Sequence, residues 1–357
     1  MDRRGFLIAV GAAALVPDPT WAAPDLAAPR RVWRIGGKPV KTVDIHAHIA
    51  PDMSALIDGT PYLAKSRSNP QITGEIDSAR IARMDAQGID VEILSVNPYW
   101  YDMERDQAAR FIDTLNDKLI HVGQNYPGRF YVLAAVAMQF PDLAIMQLRD
   151  AMGHGFRGVS LGCTIAGEEL SSPRFDPFWA ACEAGQVMVF LHPQDSAVAT
   201  GVTKRVQGAG SLGYVIGHPL ETTIALSHLI FEGTLDRFRS LRICAAHGGG
   251  YLASYIDRSD AGCTANPQTC PPTDPVLKKK PSAYMKDIYV DALVFTPEAT
   301  RHLAAVVGPR RMMIGTDTPI PWVSDPVAIV MATPDLSDDD KRAILGGTAC
   351  RLFNIPA

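Results

Sequence analysis

Short apolar runs alternate with segments of helical periodicity from Lys41 to the end of the chain. Eight runs rich in β-branched and other apolar residues predict strands: Thr42–Ile45, Val91–Val96, Phe130–Ala135, Gly158–Leu161, Val187–Leu191, Arg242–Ala246, Ile288–Asp291 and Met312–Gly315. The segments between them predict helices at Asp77–Gln87, Asp106–Asn125, Asp142–Met152, Asp176–Ala184, Glu221–Phe231 and Pro297–Val307. Strands that alternate with helices in this way indicate a parallel α/β fold.

The architecture follows from the number of strands and from what comes after the first one. Eight strands with helical crossovers predict a single-domain (β/α)8 barrel, the TIM barrel. An open doubly wound sheet is the rival architecture, but no glycine-rich phosphate loop follows the first predicted strand. The fifth predicted strand is almost continuously apolar, as expected for a strand that is covered on both faces.

The first 22 residues differ from the rest of the chain. A basic start with Arg3 and Arg4 precedes a short apolar run and then small residues around Ala22. This order is typical of an export signal, and the paired arginines before Gly-Phe-Leu resemble a twin-arginine signal. The alternatives are an uncleaved anchor and a chance arginine pair. The predicted divisions are an export signal at 1–22, a lead-in at 23–40 and the barrel domain at 41–357. We expect a periplasmic or otherwise exported protein with no membrane contact after cleavage.

Composition adds two points to this picture. The net charge is −4, and the short run Lys278–Lys280 lies beside prolines, so no nucleic-acid partner is expected. The six cysteines show neither zinc-ribbon nor Cys-x-x-Cys spacing. Cys263 and Cys270 flank a proline-containing loop, and an oxidising compartment would allow them to pair. The sequence leaves that pairing open.

Side chains that bind metal ions follow four of the predicted strands. His46 and His48 end the first strand, and alternate residues of a strand point to the same side. His192, His247 and Asp317 follow the fifth, sixth and eighth strands. Because the carboxyl ends of barrel strands converge on one mouth, these groups are expected to meet there. Imidazoles with a carboxylate suit Zn²⁺, although other first-row metals are compatible with them.

The chain resembles the amidohydrolase superfamily, in the branch of 2-amino-3-carboxymuconate-6-semialdehyde decarboxylase. The resemblance covers nearly the whole mature chain. The motifs that carry it are Asp44-Ile45-His46-Ala47-His48 with Pro51, Arg83-Met84-Asp85 followed by Gly88, Leu191-His192-Pro193, Glu221-Thr222-Thr223-Ile224-Ala225, Ala246-His247-Gly248-Gly249-Gly250, Tyr289-Val290-Asp291-Ala292, and Ile314-Gly315-Thr316-Asp317 before Pro319.

The resemblance implies roles for these residues. His46, His48, His192 and Asp317 would bind one divalent cation together with a water molecule, and Asp317 is counted among the catalytic groups as well. His247 matches the family histidine that acts on that water as base and then as acid; the alternatives are a fifth ligand or a residue that orients a ligand. A zinc-bound water has a pKa of ~7, which makes hydroxide available at neutral pH.

The resemblance also implies how a carboxylate substrate is held. Arg258 matches a family arginine that reaches into the neighbouring subunit's site, which implies a homodimer; the alternative is a surface charge. The family's other substrate arginine has no clear equivalent, and Lys65, Arg67 and Arg80 are only loose candidates.

The aromatic side of the site departs from the family too. Gln194 stands two residues after His192, where the family decarboxylase has a tryptophan after its His-Pro. Trp100 is predicted to supply an aromatic wall instead, with packing in the core or rim as the alternative. Gln194, Trp100 and Arg258 are thus the predicted substrate-binding residues, and the substrate is expected to differ from the family's.

Three functions remain open at this stage. The first is a metal-dependent, non-oxidative carboxy-lyase that acts on an unsaturated or aromatic carboxylic acid. The second is a metal-dependent hydrolase of a C–C, lactone or ester bond that uses the same zinc hydroxide. The third is an exported metal-binding protein without catalytic turnover. A barrel fold alone does not decide between them, because barrels support many reactions.

Overall fold

The computed structural model describes residues 25–27, 29–68, 71–194, 205–206, 208–270, 277–322 and 325–356. The export signal predicted at residues 1–22 and the first two residues of the predicted lead-in lie outside these residues. Within the part of the chain that the structure describes, no helix is long and apolar enough to cross a membrane.

Eight parallel strands form the centre of the fold. They are β1 to β8 in chain order: Val43–His48, Val91–Ser95, Phe130–Val132, Val159–Leu161, Met188–Leu191, Arg242–Ala245, Tyr289–Asp291 and Met312–Met313. One sheet contains β1, β2 and β3, and a second contains β4 to β8 in sequential order. Parallel bridges join the sheets at both edges, from Ala134 to Val159 and from Asp44 to Ile314. The strands therefore make a continuous ring, which confirms the predicted barrel.

The helices follow the strands as the periodicity predicts. The described residues contain fourteen α-helices, α1 to α14: Ser54–Ile57, Pro61–Ser66, Ser78–Gln87, Arg105–Asn125, Pro141–Gly153, Asp176–Ala184, His218–Phe231, Thr234–Arg237, Leu252–Ala265, Pro281–Tyr284, Pro297–Val307, Pro326–Ala332, Asp338–Arg342 and Thr348–Leu352. The six predicted helices are α3 to α7 and α11. Two short hairpins complete the strands: Arg34–Ile35 with Lys38–Pro39, and Thr164–Ile165 with Glu168–Glu169.

Local sequence signals decide where the helices begin and end. Asp77 precedes α3, and its side chain accepts a hydrogen bond from the backbone N–H of Arg80 at 2.7 Å. Gly88 ends α3 with φ of 69°, a conformation that glycine adopts without strain. Thr296 caps α11 in the same way through the N–H of Ala299 at 3.1 Å. The predicted helix at Asp77–Gln87 therefore begins one residue later, because its first residue is the cap.

The ring of strands separates the hydrophobic core into two clusters. Val43, Val91 and Phe190 belong to a buried cluster that also contains Phe353 near the C-terminus. The neighbouring strand residues that point the other way, such as Leu94, belong to the larger cluster that includes the helices. Alternation of this kind is what a barrel requires, because one face of each strand fills the interior and the other supports the helices.

A disulfide lies on the surface near the end of α9. It joins Cys263, in the last turns of this helix, to Cys270, and their Cα atoms are 5.1 Å apart. The pairing that the sequence left open is therefore present. The other four cysteines are free thiols: Cys163, Cys182, Cys244 and Cys350.

Candidate metal centre and active site

Three donor atoms meet at the carboxyl ends of the first and last strands. His46 Nε2 lies 3.2 Å from His48 Nε2, and Asp317 Oδ1 lies 3.2 Å from His46 Nε2 and 2.9 Å from His48 Nε2. Ligands of a tetrahedral zinc ion with bonds near 2.0 Å are about 3.3 Å apart, so these spacings suit one shared cation. All three side chains are almost completely buried.

His192 supplies the observation that best tests whether a cation fits here. Its ring centroid lies 4.9 Å from that of His46 and 4.6 Å from that of His48. The side chain is buried, and neither of its ring nitrogens has a hydrogen-bond partner among the described residues. An unpaired buried nitrogen is unfavourable, and a bound cation would remove that cost. Donor atoms of His46, His192, His247 and Asp317 all lie within 4.8 Å of one another, so the site fits one divalent cation.

A bulge in β1 brings His46 into this cluster. Asp44 pairs with Glu92 and Ala47 pairs with Leu94, so two residues of β1 lie opposite one residue of β2. The extra residue interrupts the alternation of side-chain directions between Ile45 and His46. Ile45, His46 and His48 therefore all face the barrel interior. The strict alternation used in the sequence analysis holds from His46 to His48, but it does not hold along the whole strand.

Asp291, at the end of β7, holds two parts of the site in place. Its Oδ2 accepts a hydrogen bond from His46 Nδ1 at 2.7 Å and another from the backbone N–H of His247 at 2.9 Å. Its Oδ1 accepts hydrogen bonds from the N–H groups of Gly248 at 2.8 Å and Leu293 at 3.1 Å. Carboxylates that hold a metal-binding histidine in this way fix its ring orientation. Asp291 was not among the predicted site residues, although its position as an acidic residue at the end of a predicted strand is a signal for such a role.

Two site residues have left-handed backbone conformations. The φ angle is 56° at His247 and 62° at Asp317. Left-handed conformations of non-glycine residues cost roughly 1–3 kcal/mol and occur often at functional sites. Gly248 follows with φ of 66°, and a Cβ atom there would lie 2.7 Å from Val294 Cγ1. Only glycine fits at this position, which lets the loop after β6 turn His247 towards the ligands.

The buried charges set the protonation state of each group in the cluster, and His46 must lose a proton before it can bind a cation. Burial disfavours a charge on His46, but Asp317 and Asp291 more than offset it and raise the pKa of His46 to about 10. Burial would raise the pKa of Asp317, but the neighbouring imidazoles, His46 foremost, hold it well below its ordinary value. Burial also keeps the pKa of His192 well below its ordinary value. Asp317 is thus ionised and His192 neutral, and these are the forms that bind metals.

His247 lies beside the ligand set, nearer the opening of the barrel. Its Nε2 is 4.0 Å from Asp317 Oδ2, and its side chain is 11% exposed. A further histidine, His218 at the start of α7, has its ring centroid 5.8 Å from that of His247 and 5.9 Å from that of His192. His218 was not predicted as a site residue, although it lies only three residues before Glu221 of the Glu221-Thr222-Thr223 motif.

A cavity of about 420 Å³ is lined by residues that follow the carboxyl ends of several strands. Ile49 follows the ligand His48, and Gln194 lies two residues after the ligand His192, and both line its wall. The predicted substrate residue Gln194 therefore faces the cavity, where its Nε2 donates a hydrogen bond to Pro98 O at 3.2 Å.

The other predicted substrate residues lie elsewhere. Trp100 is completely buried, its indole N–H donates to Val136 O at 2.9 Å, and it is absent from the described wall of the cavity. Trp100 therefore packs in the core, which was the alternative interpretation. Arg258 lies on an exposed face of α9.

The loose candidates for the missing arginine differ in position. Lys65 lines the cavity, and Arg67 lines an adjoining one of about 350 Å³. Arg80 is buried, and it donates to Glu92 Oε2 at 2.7 Å and to His48 O at 2.8 Å. Arg80 therefore supports the strand that carries the ligands.

Comparison with known proteins adds to this geometry. A family model described as Amidohydrolase matches residues 43–355, which include all eight strands. The chain is 28% identical over 336 residues to 2-amino-3-carboxymuconate-6-semialdehyde decarboxylase of Dictyostelium discoideum, covering 88% of this chain and 91% of the relative. It is 26% identical over 302 residues to gamma-resorcylate decarboxylase of Rhodococcus jostii, covering 79% and 88%.

The solved structures agree with these relatives. The 5-carboxyvanillate decarboxylase of Novosphingobium aromaticivorans, complexed with manganese and 4-hydroxy-3-methoxy-5-nitrobenzoic acid, superposes with a TM-score of 0.75 at 25% identity. The match covers 88% of this chain and 96% of that one. The resemblance found in the sequence motifs is thereby confirmed.

Proposed function

Since the chain belongs to the amidohydrolase family, we propose that it is a metal-dependent, non-oxidative carboxy-lyase acting on an unsaturated or aromatic carboxylic acid. The observation that carries this proposal is the position of His247, whose ring centroid lies 5.1 Å from that of His46 and 5.3 Å from that of His192. An acid/base group thus stands directly beside the ligand set. Relatives named as decarboxylases, which cover 79% to 88% of the chain, support the same reaction.

The ligand set proposed for the cation is His46, His48, His192 and Asp317, and the cation proposed is Zn²⁺. Three imidazoles with one carboxylate are donors that zinc accepts in tetrahedral sites. When bound, such a cation supplies Lewis-acid chemistry, because it polarises a bound oxygen and stabilises negative charge. Manganese is the metal in the related 5-carboxyvanillate decarboxylase structure, so metal identity belongs in the test.

His247 is proposed to move the proton that the reaction needs. In a non-oxidative decarboxylation the bond to the carboxyl carbon breaks, CO₂ leaves, and the electron pair left on the neighbouring carbon takes up one proton. The nitrogen proposed to deliver it is His247 Nε2, which faces Asp317. Asp291 accepts a hydrogen bond from the backbone N–H of His247, which holds the main chain of His247 in place beside the ligand set.

The active unit is proposed to be a homodimer in which Arg258 binds the carboxylate of a substrate in the neighbouring subunit. Arg258 is exposed on α9, three residues after Tyr255, which is 68% exposed. Mixing two inactive variants, His247→Asn and Arg258→Ala, tests the exchange of residues between subunits. Mixed dimers should recover activity that neither parent has, whereas a monomer or a site made within one chain recovers none.

Export through the twin-arginine route is also proposed, on the N-terminal sequence alone. Fractionation of cells that express the full chain tests it, with Arg3→Lys and Arg4→Lys together as the control variant. The wild-type protein should appear in the exported fraction and the double variant should remain inside. Equal distribution of both would contradict the route.

The decisive experiment measures products from a panel of aromatic and muconate-type carboxylic acids. Metal-loaded protein should release CO₂ and form the acid's decarboxylated product in equal amounts. A new carboxylic acid without CO₂, formed from ester or lactone substrates, would show the hydrolase instead. Metal-loaded protein that leaves every compound unchanged would support a metal-binding protein without turnover. Metal content after purification, followed by reconstitution with Zn²⁺ or Mn²⁺, identifies the cation.

A further inference from the structure

The cavity lined by Ile49 and Gln194 is close in sequence to the candidate ligands His48 and His192. Its wall includes Ile49 and Ala50 directly after β1, Val96 directly after β2, and Gln194 three residues after β5. A molecule whose carboxylate lies at the ligand set would extend its other end into this space. The residues that line the cavity therefore decide which distal groups are accepted.

The charges on this wall are already paired. Among the wall residues that the structure describes, the charged ones are Lys65 and Asp102, and Lys65 Nζ forms an ion pair with Asp102 Oδ2. Lys65 Nζ also lies 5.2 Å from the ring centroid of Tyr62, whose hydroxyl donates to Asp102 O at 3.0 Å. The lysine is thus held by an acid and an aromatic ring, and its charge is matched before any ligand arrives.

The adjoining cavity shows the same balance. Its described wall contains one cation, Arg67, and one anion, Asp52. The wall residues that the two cavities share are uncharged: Ala50, Ser66, Ile72, Val96 and Tyr99. Because an anion placed beside the Lys65–Asp102 ion pair loses water without gaining an unpaired cation, burying a second carboxylate in the first cavity would be unfavourable.

We propose that the substrate is a monocarboxylic acid whose distal part is uncharged, and that Asp102 enforces this choice by holding Lys65. This inference rests on the proposed function, because it assumes that the reacting carboxylate binds at the metal centre. The apolar wall suits an aromatic ring. The hydroxyl of Tyr99 and the amide of Asn97, which also belong to the wall, suit neutral polar substituents.

The test uses two ligands that differ by one charge, 3-nitrobenzoate and isophthalate, because a nitro group and a carboxylate have nearly the same shape. Calorimetric binding to metal-loaded protein should favour 3-nitrobenzoate by roughly fivefold or more, the scale of a half-exposed charge interaction. Asp102→Asn releases Lys65, so it should remove that preference or reverse it. Lys65→Met should weaken isophthalate further relative to 3-nitrobenzoate, because Asp102 is then unpaired.

A matched control separates this effect from the change in net charge. Asp142→Asn removes one acid from another exposed ion pair, with Arg105, and should leave the ligand preference as in the wild type. An unchanged preference in Asp102→Asn would overturn the inference. So would a wild-type preference for isophthalate that Lys65→Met abolishes, since Lys65 would then be an anchor for a second carboxylate. The binding readout does not depend on turnover, so failure of CO₂ release would refute the proposed function separately.

Discussion

The metal centre and the neighbouring cavity are built in different ways, although they share one mouth of the barrel. The ligands lie at strand ends, and their side chains are at most 5% exposed. The cavity wall comes mainly from the connections between strands and helices, and its charged side chains, Lys65 and Asp102, are 43% and 55% exposed. The first region is held by buried hydrogen bonds and the second by an exposed ion pair.

The two regions therefore differ in how much stability is lost when their residues are replaced. An exposed ion pair contributes about 0–1 kcal/mol, so the connections can change residues at little cost in stability. A buried carboxylate such as Asp291, with four hydrogen bonds, cannot be replaced without leaving several groups unpaired. The proposed function therefore assigns the reaction to the strand ends and the choice of acid to the connections.

The largest effect is expected from His192→Ala, which removes a ligand that has no hydrogen bond to lose. Binding of the cation should weaken by more than roughly 100-fold, and activity should disappear with it. Metal content per chain after dialysis checks this, with activity measured in parallel. His154→Ala, which changes an exposed histidine at the end of α5, is the matched control. Stoichiometric metal in His192→Ala would show that His192 is not a ligand.

His247→Asn should separate the reaction from metal binding. We expect kcat to fall by roughly 10²–10⁴-fold because the proton donor is lost, while the metal content stays at the wild-type value. Single-turnover CO₂ release and metal analysis of the same sample measure both. If the variant instead loses its metal, His247 is a fifth ligand, and the acid/base role is wrong.

Asp291→Asn should affect both His46 and His247. The amide keeps the shape of the side chain but removes its charge, so metal affinity is expected to fall by roughly 10- to 100-fold. The rate should fall as well when the site is saturated with metal, because the N–H of His247 loses a charged acceptor. Asp287→Asn, an exposed acid four residues earlier, is the control. A variant that binds metal normally would show that Asp291 does not set the orientation of His46.

Metal binding should release a proton from His46. The pKa of His46 is raised to about 10, so its imidazole is protonated at pH 8 in protein stripped of metal by a chelator. A cation binds only the neutral ring, and its apparent affinity should therefore rise with pH until about pH 10. Calorimetric titration in buffers of different ionisation enthalpy counts the protons released. Binding that is independent of pH between 7 and 9 would contradict the raised pKa.

The smallest effects are expected from substitutions of Trp100 and Gln194, the two predicted substrate residues in the segments that follow β2 and β5. Gln194→Ala should raise KM by roughly two- to tenfold and change kcat little, because a wall residue and one hydrogen bond are lost. Trp100→Phe should leave KM unchanged and lower the melting temperature, because Val136 O loses its buried donor. Opposite behaviour of the two variants would show that Trp100, and not Gln194, contacts the substrate.

The fold and the position of the site could be predicted from the sequence because their signals are local. Each candidate residue follows an apolar run, and strand ends in a barrel converge, so position alone predicted that His46, His48, His192, His247 and Asp317 lie together. The choice of four of them as ligands came from the family resemblance. The eight strands were predicted from the same apolar runs. The bulge in β1 was not, because apolar alternation does not reveal an extra residue opposite a partner strand.

What escaped prediction depends on contacts between distant segments. Asp102 meets Lys65 only after β1 and β2 have brought their connections side by side. The aromatic run around Trp100 was compatible with either a cavity wall or the core, and only the position of Val136 O decides for the core. His218 likewise comes to the site through the start of α7 rather than at the end of a strand.

The contact between the first and last strands has a consequence for how the protein is made. The N–H of Asp317 donates to His46 O at 2.8 Å, and that of Ile45 donates to Ile314 O at 3.0 Å, so the ligands lie across the seam that closes the ring. A growing chain carries its histidines long before the ribosome has added Asp317. The complete set of proposed donor atoms therefore exists only after nearly the whole chain has been synthesised.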